Sequence, residues 1–155
     1  MIIARLKPED AGELLTLQRA AYVTEAQLHA DVWLPPLTQT FEQLQAELAD
    51  PATVGLKAVM HGRFAGSVRA RADGPVYRIA RLVVAPDLHG KGIGSTLLAA
   101  IEHTAPAGTE RFALFTGHRS ADNLRLYQRH GYVESHREDR GLSTLVIHLE
   151  KPRKP

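Results

Sequence analysis

The stretch that decides the fold runs from Leu82 to Leu98 and reads LVVAPDLHGKGIGSTLL. An apolar strand end passes into a turn with glycine at every second position, Gly90, Gly92 and Gly94, and a helical apolar pattern follows. Glycine lets the backbone adopt left-handed dihedrals and lets a ligand approach closely. Because the first N–H groups of a helix lack internal partners and carry partial positive charge, the stretch predicts a site for an anion, most often a phosphate.

Two well-known phosphate-binding turns do not fit this stretch. A P-loop requires GxxxxGK[ST], but Lys91 precedes Gly92 and no Gly-Lys-Ser or Gly-Lys-Thr follows it. A dinucleotide-binding turn requires GxGxxG, whereas the spacing here is GxGxG. A purely structural turn rarely needs three glycines, since each costs about 0.5–1 kcal/mol relative to alanine inside a helix. The stretch therefore predicts a phosphate-bearing ligand held by a different kind of turn.

The composition is that of one globular domain. The chain has 155 residues, of which 44% are hydrophobic and 23% charged. It contains no apolar run of membrane-spanning length and no pattern typical of a signal peptide, so we expect no membrane segment and a cytoplasmic location. It also contains no cysteine, which excludes disulfides, thiolate metal sites and a cysteine nucleophile. The scattered histidines predict no metal site, and a net charge of +2 does not favour nucleic acid.

Hydrophobic periodicity and turn residues predict the element order β-α-α-β-β-β-α-β-α-β-β. The predicted strands are Ile2–Leu6, Val54–Met60, Phe64–Arg71, Val76–Val84, Arg111–Thr116, Tyr132–His136 and Thr144–Leu149. Four helices are predicted, which begin near Pro8, after a cap at Thr38 or Thr40, near Gly90 and near Ser120. The stretch Val23–Gln39 is expected to be irregular. We expect residues 1–150 to form one domain with a central strand at Val76–Val84, and residues 151–155 to form a solvated basic tail.

A second motif lies at residues 120–132 and reads SADNLRLYQRHGY. Asn123 and Tyr127 are four residues apart, so a helix places them on one face. Tyr127 is either a core tyrosine packed beside Leu124 or a functional phenol. Ser120 or Asp122 is placed to cap the helix, and His130 is expected to be a cation at its C-terminal end.

In this order, the two motifs resemble those of the GNAT superfamily of N-acetyltransferases. The family carries an Arg/Gln-x-x-Gly-x-Gly/Ala turn after its fourth strand, which residues 89–94 match with His89 in the place of Arg or Gln. Asn123, Tyr127 and Gly131 match the family's second motif. The resemblance implies an α/β (α+β) fold with a mixed, mostly antiparallel twisted sheet of about seven strands flanked by about four helices. It also implies a homodimer.

The resemblance further implies a binding site for acetyl-CoA. The backbone amides of the glycine turn would bind the pyrophosphate, the preceding strand would pair with the pantetheine arm, and Tyr127 would donate a proton to the departing thiolate. His89 can donate through a ring nitrogen, which makes phosphate binding more dependent on pH. The implied cofactor-binding residues are Leu82, Val83, Val84, His89, Gly90, Lys91, Gly92, Ile93, Gly94, Ser95, Asn123 and Tyr127.

The general base is not evident from the sequence. Many family members place a glutamate on the fourth strand, but residues 77–82 contain no acid. Glu25 and His118 are candidates, each also typical of an ordinary surface residue, and water is the third option. Arg69 and Arg71 share one strand face, which is either solvated or in contact with an acidic acceptor. Since there is no cysteine, direct attack of an amine is favoured over an acyl-enzyme.

Three functions remain open at this point. The first is an N-acetyltransferase acting on a primary amine, with a small molecule preferred because no extended charged docking surface is evident. The second is a non-catalytic acetyl-CoA sensor, which the missing strand-four glutamate favours and Tyr127 disfavours. The third is a nucleotide-binding protein of another class, which the glycine spacing disfavours.

Overall fold

The computed structural model describes residues 1–141 and 145–155. Its strands are β1 (Ile2–Arg5), β2 (Thr53–Met60), β3 (Arg63–Asp73), β4 (Val76–Val84), β5 (Arg111–Gly117), β6 (Val133–Asp139) and β7 (Leu145–Pro152). Its α-helices are α1 (Ala11–His29), α2 (Pro35–Thr38), α3 (Phe41–Ala49), α4 (Ile93–Glu102) and α5 (Ala121–Arg129). The strands form one sheet in the order β1-β2-β3-β4-β5-β7-β6, so the predicted mixed α/β fold with a central β4 is confirmed.

Two hydrophobic clusters pack against the sheet. One contains the buried side of α4 together with Tyr127 and residues of β2 to β5 and β7. The other joins α1 and α3 to the far end of β4. β4 contributes Ile79 to the first cluster and Val83 to the second, which explains why its end is almost wholly apolar. The helices thus hold the centre of the sheet from two sides.

β4 and β5 part from each other at the centre of the sheet. They are the one parallel pair recorded for the described strands, and their pairing runs only from Val76–Arg111 to Arg78–Ala113. β4 continues to Val84 and β5 to Gly117, so a gap opens between them. The short pairing therefore leaves an opening in the sheet between the end of β4 and the end of β5.

A β-bulge bends β4 beside this gap. Ser67 of β3 lies opposite Val83 and Arg69 lies opposite Ala80, so two residues of β4 face the single Val68. One of the two is Arg81, whose φ is 56°. A positive φ is uncommon for a residue other than glycine, and bulges redirect side chains next to functional sites.

The region from Val23 to Gln39 is more helical than predicted. α1 continues to His29 and ends at Ala30 with a φ of 50°, and α2 follows at Pro35–Thr38. The prediction was wrong because polar residues interrupt the apolar pattern, whereas the last turns of α1 are held by buried Ala26 and His29. Thr40 caps α3, since its side chain accepts from the Gln43 backbone N–H.

The basic tail is shorter than predicted. Lys151 and Pro152 belong to β7, and the Lys151 Nζ lies 3.0 Å from Glu102 Oε1. The Arg153 backbone N–H donates to the Glu110 carbonyl at 2.8 Å. β7 therefore continues past residue 150 into the predicted tail, and the predicted strand start at Thr144 lies outside the described residues. Across the described ranges, no helix combines the length and apolarity that a membrane crossing needs.

Candidate active site

A cavity of about 960 Å³ lies at the gap between β4 and β5. Its walls come from α1, the end of β4, the glycine turn with the start of α4, the end of β5, and α5. This volume suits a small-molecule or cofactor site. The predicted cofactor-binding residues that line it are Leu82, Val83, Val84, His89, Gly90, Gly92, Ile93, Gly94, Ser95, Asn123 and Tyr127. Lys91 is exposed and is not part of the lining.

The glycine turn has the backbone conformation that its sequence predicts. Gly90 and Gly92 have φ values of 79° and 80°, and a Cβ added at either would meet nothing within 4 Å. Gly92 is the N-cap of α4, and no side chain caps that helix. The turn is therefore open, and the N–H groups at the start of α4 are left for an anionic ligand.

The end of β4 has one backbone edge without a strand partner. Residues 79–84 line the cavity, and β4 pairs with β5 only as far as Arg78. An extended ligand arm can hydrogen-bond to such an edge as an added strand would. The His89 Nε2 lies 3.3 Å from the Val84 carbonyl oxygen, so the ring faces the end of this edge.

α5 supplies a buried phenol to the same cavity. Tyr127 is 5% exposed and packs against Tyr132 with ring centroids 6.1 Å apart, so it belongs both to the core and to the cavity lining. Burial raises the pKa of Tyr127, and nearby Tyr22 and Glu25 add to the rise. The phenol therefore keeps its proton at neutral pH. One turn earlier, the Asn123 amide donates to Thr116 Oγ1 at 3.3 Å.

Glu25 lies on α1 and faces the cavity. Its Oε2 accepts a hydrogen bond from the Ser120 hydroxyl, and the same oxygen lies 3.8 Å from the His29 Nδ1. Ser120 therefore binds the carboxylate across the cavity wall and makes no side-chain cap to α5, contrary to the prediction. This contact joins α1 to the start of α5, and it could not be predicted because the two residues lie far apart in the sequence.

His29 connects the same two regions and was not predicted. Its Nδ1 lies 3.0 Å from the Glu25 carbonyl oxygen, and its Nε2 accepts the Arg119 backbone N–H at 3.3 Å. An accepting Nε2 places the ring hydrogen on Nδ1, so this arrangement describes a neutral imidazole. The ring lies directly against Gly117, where an added Cβ would be 2.2 Å from Nε2.

His118 is placed differently from Glu25. It is not part of the cavity lining, its Nδ1 lies 3.1 Å from the Leu145 carbonyl oxygen, and its Nε2 accepts from the Arg119 Nε at 3.3 Å. Both ring nitrogens are thus engaged by neighbouring groups. Of the two predicted bases, only Glu25 faces the cavity.

Arg69 and Arg71 of β3 do not share one solvated face, which was one of the two predicted alternatives. Arg69 is 3% exposed, forms an ion pair with Glu47 and donates to Gln18 Oε1 at 3.0 Å. Arg71 is exposed and pairs with Asp50. The expectation of a solvated side chain was therefore wrong for Arg69, because Gln18 of α1 and Glu47 of α3 lie against it.

Arg81 was missed as a cavity residue. It lines the cavity from the bulge of β4, and its Nε is buried with no hydrogen-bond partner among the described residues. An arginine inside the otherwise apolar run from Ile79 to Val84 was the available signal, since a charge is rarely buried without a purpose.

His130 is not the helix-end cation that was predicted. It caps the C-terminal end of α5, but its Nε2 lies 3.1 Å from Ser95 Oγ at the start of α4. Burial lowers the pKa of this imidazole, which favours the neutral ring at pH 7. Its contact therefore ties the second motif to the glycine-turn helix.

Known proteins share this fold over nearly the whole chain. The chain resembles a GNAT acetyltransferase from Streptococcus pneumoniae (24% identity, 98% of this chain and 99% of that one, TM-score 0.76). It also resembles the PaiA N-acetyltransferase from Thermoplasma acidophilum in complex with coenzyme A (20% identity, 99% and 100% coverage, TM-score 0.76). A third similar structure is the ribosomal-protein-S18-alanine N-acetyltransferase from Escherichia coli (15% identity, 97% and 92% coverage, TM-score 0.79). These likenesses show the fold.

Sequence comparison shows the family. The chain is 29% identical over 147 residues to the UPF0157 protein YqkA from Bacillus subtilis, and the match covers 93% of this chain but 41% of that relative. A family model described as "Acetyltransferase (GNAT) domain" matches residues 19–150 and so covers both motifs of the cavity. The chain belongs to the GNAT family of acetyltransferases.

Proposed function

We propose that the protein transfers the acetyl group of acetyl-CoA to a primary amine of a small acceptor by direct attack. The observation that carries the proposal is that residues of both predicted motifs, among them Gly90, Gly92, Asn123 and Tyr127, line one cavity at the gap between β4 and β5. GNAT acetyltransferases use acetyl-CoA as donor, and its thioester supplies an activated acetyl group.

The residues of the cavity fit such a donor. The open glycine turn with its uncapped helix start suits a pyrophosphate, and the unpaired edge of β4 suits an amide-bearing arm. Burial keeps Tyr127 protonated at neutral pH, so its hydroxyl can donate a hydrogen bond to the departing thiolate and deliver the proton as the C–S bond breaks. The described residues thus offer a place for each end of the donor.

Glu25 is the proposed general base. A primary amine has a pKa near 10.4 and is mostly protonated at pH 7, so a proton must leave before attack. The Glu25 carboxylate faces the cavity and is oriented by Ser120. Its role is to accept this proton directly or through one water molecule.

Replacing Glu25 with glutamine is expected to lower kcat/KM about 100-fold at pH 7, because a positioned base contributes about 10²-fold or more. The deficit should narrow as the pH rises towards about 10, where the free amine becomes abundant without help. Initial rates from pH 6 to 10 measure both effects.

Glu13→Gln is the matched control for this change. Glu13 lies on the same helix, accepts the Phe64 backbone N–H and is not part of the cavity lining. Its replacement should leave the pH–rate profile unaltered. An unchanged profile in Glu25→Gln would instead assign proton removal to water alone.

Calorimetric titration with acetyl-CoA, and separately with ATP and NAD, tests the donor. We expect acetyl-CoA to bind and the two nucleotides to bind far more weakly. Gly92→Ala should weaken acetyl-CoA binding about tenfold or more, because the φ of 80° is strained for alanine and each charge-assisted hydrogen bond lost is worth about 1.5–3 kcal/mol.

Gly108→Ala separates a binding effect from a backbone effect. Gly108 has a φ of 91°, an added Cβ would also meet nothing within 4 Å, and it is not part of the cavity lining. This variant should lose stability but keep its affinity for acetyl-CoA. Binding of ATP or NAD with none of acetyl-CoA would overturn the proposed function.

The homodimer and the cytoplasmic location implied earlier stay predictions. The resemblance places the pairing of the two copies at the C-terminal strands, where the edge strand is β6, whose residues are all exposed in the single chain. Sedimentation at several protein concentrations would measure the assembly directly.

A further inference from the structure

Arg81 has the surroundings of a residue that binds an anion. It lines the cavity, its Nε is buried without a hydrogen-bond partner, and it forms no ion pair within residues 1–141 and 145–155. The side chain as a whole is half-buried and lies against the Tyr22 hydroxyl, which is neutral and cannot balance the charge. A positive charge that is partly removed from water and has no counterion is costly. An anionic group of a ligand would satisfy it.

The acids of the cavity wall do not neutralise Arg81. Glu25 holds the Ser120 hydroxyl, Asp31 accepts the Trp33 backbone N–H, and Asp122 pairs with Arg125. None of these carboxylates lies within ion-pair distance of the Arg81 guanidinium in the structure described. The positive charge is therefore left for a molecule that enters the cavity.

A second arginine strengthens the case. Arg69 lies opposite Ala80 in the strand register, beside the bulge, and its Nη1 is also buried without a partner. Burial lowers the pKa of Arg69, Glu47 opposes that effect, and the Arg81 charge lowers it further. Two like charges at adjacent strand positions repel each other, so an anion bound at Arg81 would stabilise both.

The position of Arg81 selects what kind of anion binds there. It directly precedes Leu82–Val84, the edge proposed to hold the acetyl donor, and shares the cavity with the proposed base Glu25. Tyr22 lies close to Arg81, to Glu25 and to Tyr127, so an anion at Arg81 is on the side of the cavity that holds the proposed base and acid. Planar guanidinium groups match carboxylates well.

We propose that Arg81 binds a carboxylate of the acceptor, so that the substrates are primary amines that also carry a carboxylate near the amino group, as amino acids do. This inference rests on the proposed function and names its substrate class. Tyr22, which lines the cavity next to both arginines, completes the polar end of the acceptor site.

The test compares amino acids with their carboxamides as acceptors. We would measure kcat/KM of the wild-type protein and of Arg81→Met for each amino acid and for its carboxamide. The ratio of the two values is then compared between the proteins, so that the different reactivities of the amines cancel. We expect Arg81→Met to lower kcat/KM for the carboxylates about 10- to 100-fold, the range for a lost charge-assisted bond, and for the carboxamides less than about twofold. An equal loss on both would overturn the proposal.

Two further variants keep this test decisive. Arg78→Met alters an exposed arginine on the same strand that pairs with Asp73 outside the cavity, so it should change neither rate. Arg81→Met retains a Cβ at the bulge and removes the repulsion with Arg69, so its Tm should stay equal or rise. Arg81→Lys keeps the positive charge but loses the paired N–H donors of the guanidinium, so its preference for carboxylates over carboxamides should lie between those of wild type and Arg81→Met.

Binding of N-acetylated amino acids gives a readout that needs no turnover. They should bind the wild-type protein more tightly than their carboxamides, and Arg81→Met should abolish the difference. Turnover of amines without this preference would overturn the carboxylate site and leave the transferase intact. If carboxylates bind more tightly than carboxamides but no amine is acetylated, the carboxylate site stands and the transferase activity is overturned. If there is neither a binding preference nor turnover, both proposals are overturned.

Discussion

Tyr127→Phe is expected to lower kcat about 100-fold while the Kd of acetyl-CoA changes less than about twofold. The reason is that the substitution removes only the hydroxyl, whereas the ring stays packed against Tyr132 in the core. Steady-state rates and calorimetry on the same preparation separate the two effects.

The pH dependence of this reaction follows from the raised pKa of Tyr127. A general acid works only while protonated, and burial keeps this phenol protonated well above its ordinary pKa of about 10. The wild-type rate should therefore show no decline between pH 8 and 10. The free energy of unfolding, in contrast, should fall as the pH rises above about 10. There the unfolded chain loses the Tyr127 proton while the buried phenol keeps it, which favours the unfolded state.

Tyr132→Phe is the control for a buried phenol without a role in the cavity. Tyr132 donates to Glu102 at 2.7 Å and does not line the cavity, so its loss should lower Tm and leave kcat unaltered. Turnover in Tyr127→Phe equal to wild type would assign the proton to water. If wild type and Tyr127→Phe both bind acetyl-CoA but neither acetylates an amine, the result would instead support the non-catalytic sensor.

The parts of the fold that local chemistry dictates were predictable. β4 and the glycine turn follow from an apolar run ended by Pro86 and three glycines, and the strand bounds Val76–Val84 were confirmed. The last turns of α1 were not predictable, because His29 is buried by hydrogen bonds to Glu25 and Arg119 rather than by hydrophobic pattern. Periodicity reports burial of apolar groups only.

The site divides in the same way. The glycine turn and Tyr127 are encoded in contiguous motifs, so the side of the cavity they form could be predicted. The opposite side depends on tertiary contacts, such as Ser120 with Glu25, between residues far apart in the chain. For Arg81 the sequence offers an arginine within an apolar run, but the direction of its side chain depends on a bulge of β4 that a single sequence does not reveal.

Gly117→Ala is expected to destabilise the fold by about 3 kcal/mol and to lower kcat/KM, because the new methyl group has no room. Its Cβ would lie 2.2 Å from the His29 Nε2 and 2.4 Å from Cε1. The ring cannot yield easily, since both its nitrogens are hydrogen-bonded and it is buried. Displacing it would also disturb Glu25, whose carbonyl oxygen it contacts. Urea unfolding and initial rates measure the two effects.

The double variant His29→Ala/Gly117→Ala identifies the clash as the cause. Removing the ring makes room for the methyl group, so the free energy of unfolding should be higher in the double variant than in Gly117→Ala, while activity stays low because His29 no longer supports Glu25. Gly12→Ala is the matched control: its Cβ would meet only Phe41 at 3.8 Å, so it should stabilise α1 by about 0.5–1 kcal/mol. If Gly117→Ala were as stable as Gly12→Ala, the close packing of α1 against the end of β5 would be wrong. The proposed placement of Glu25 would then lose one of its two supports, because the His29 ring that packs on Gly117 also contacts the Glu25 carbonyl oxygen, while Ser120 holds the carboxylate.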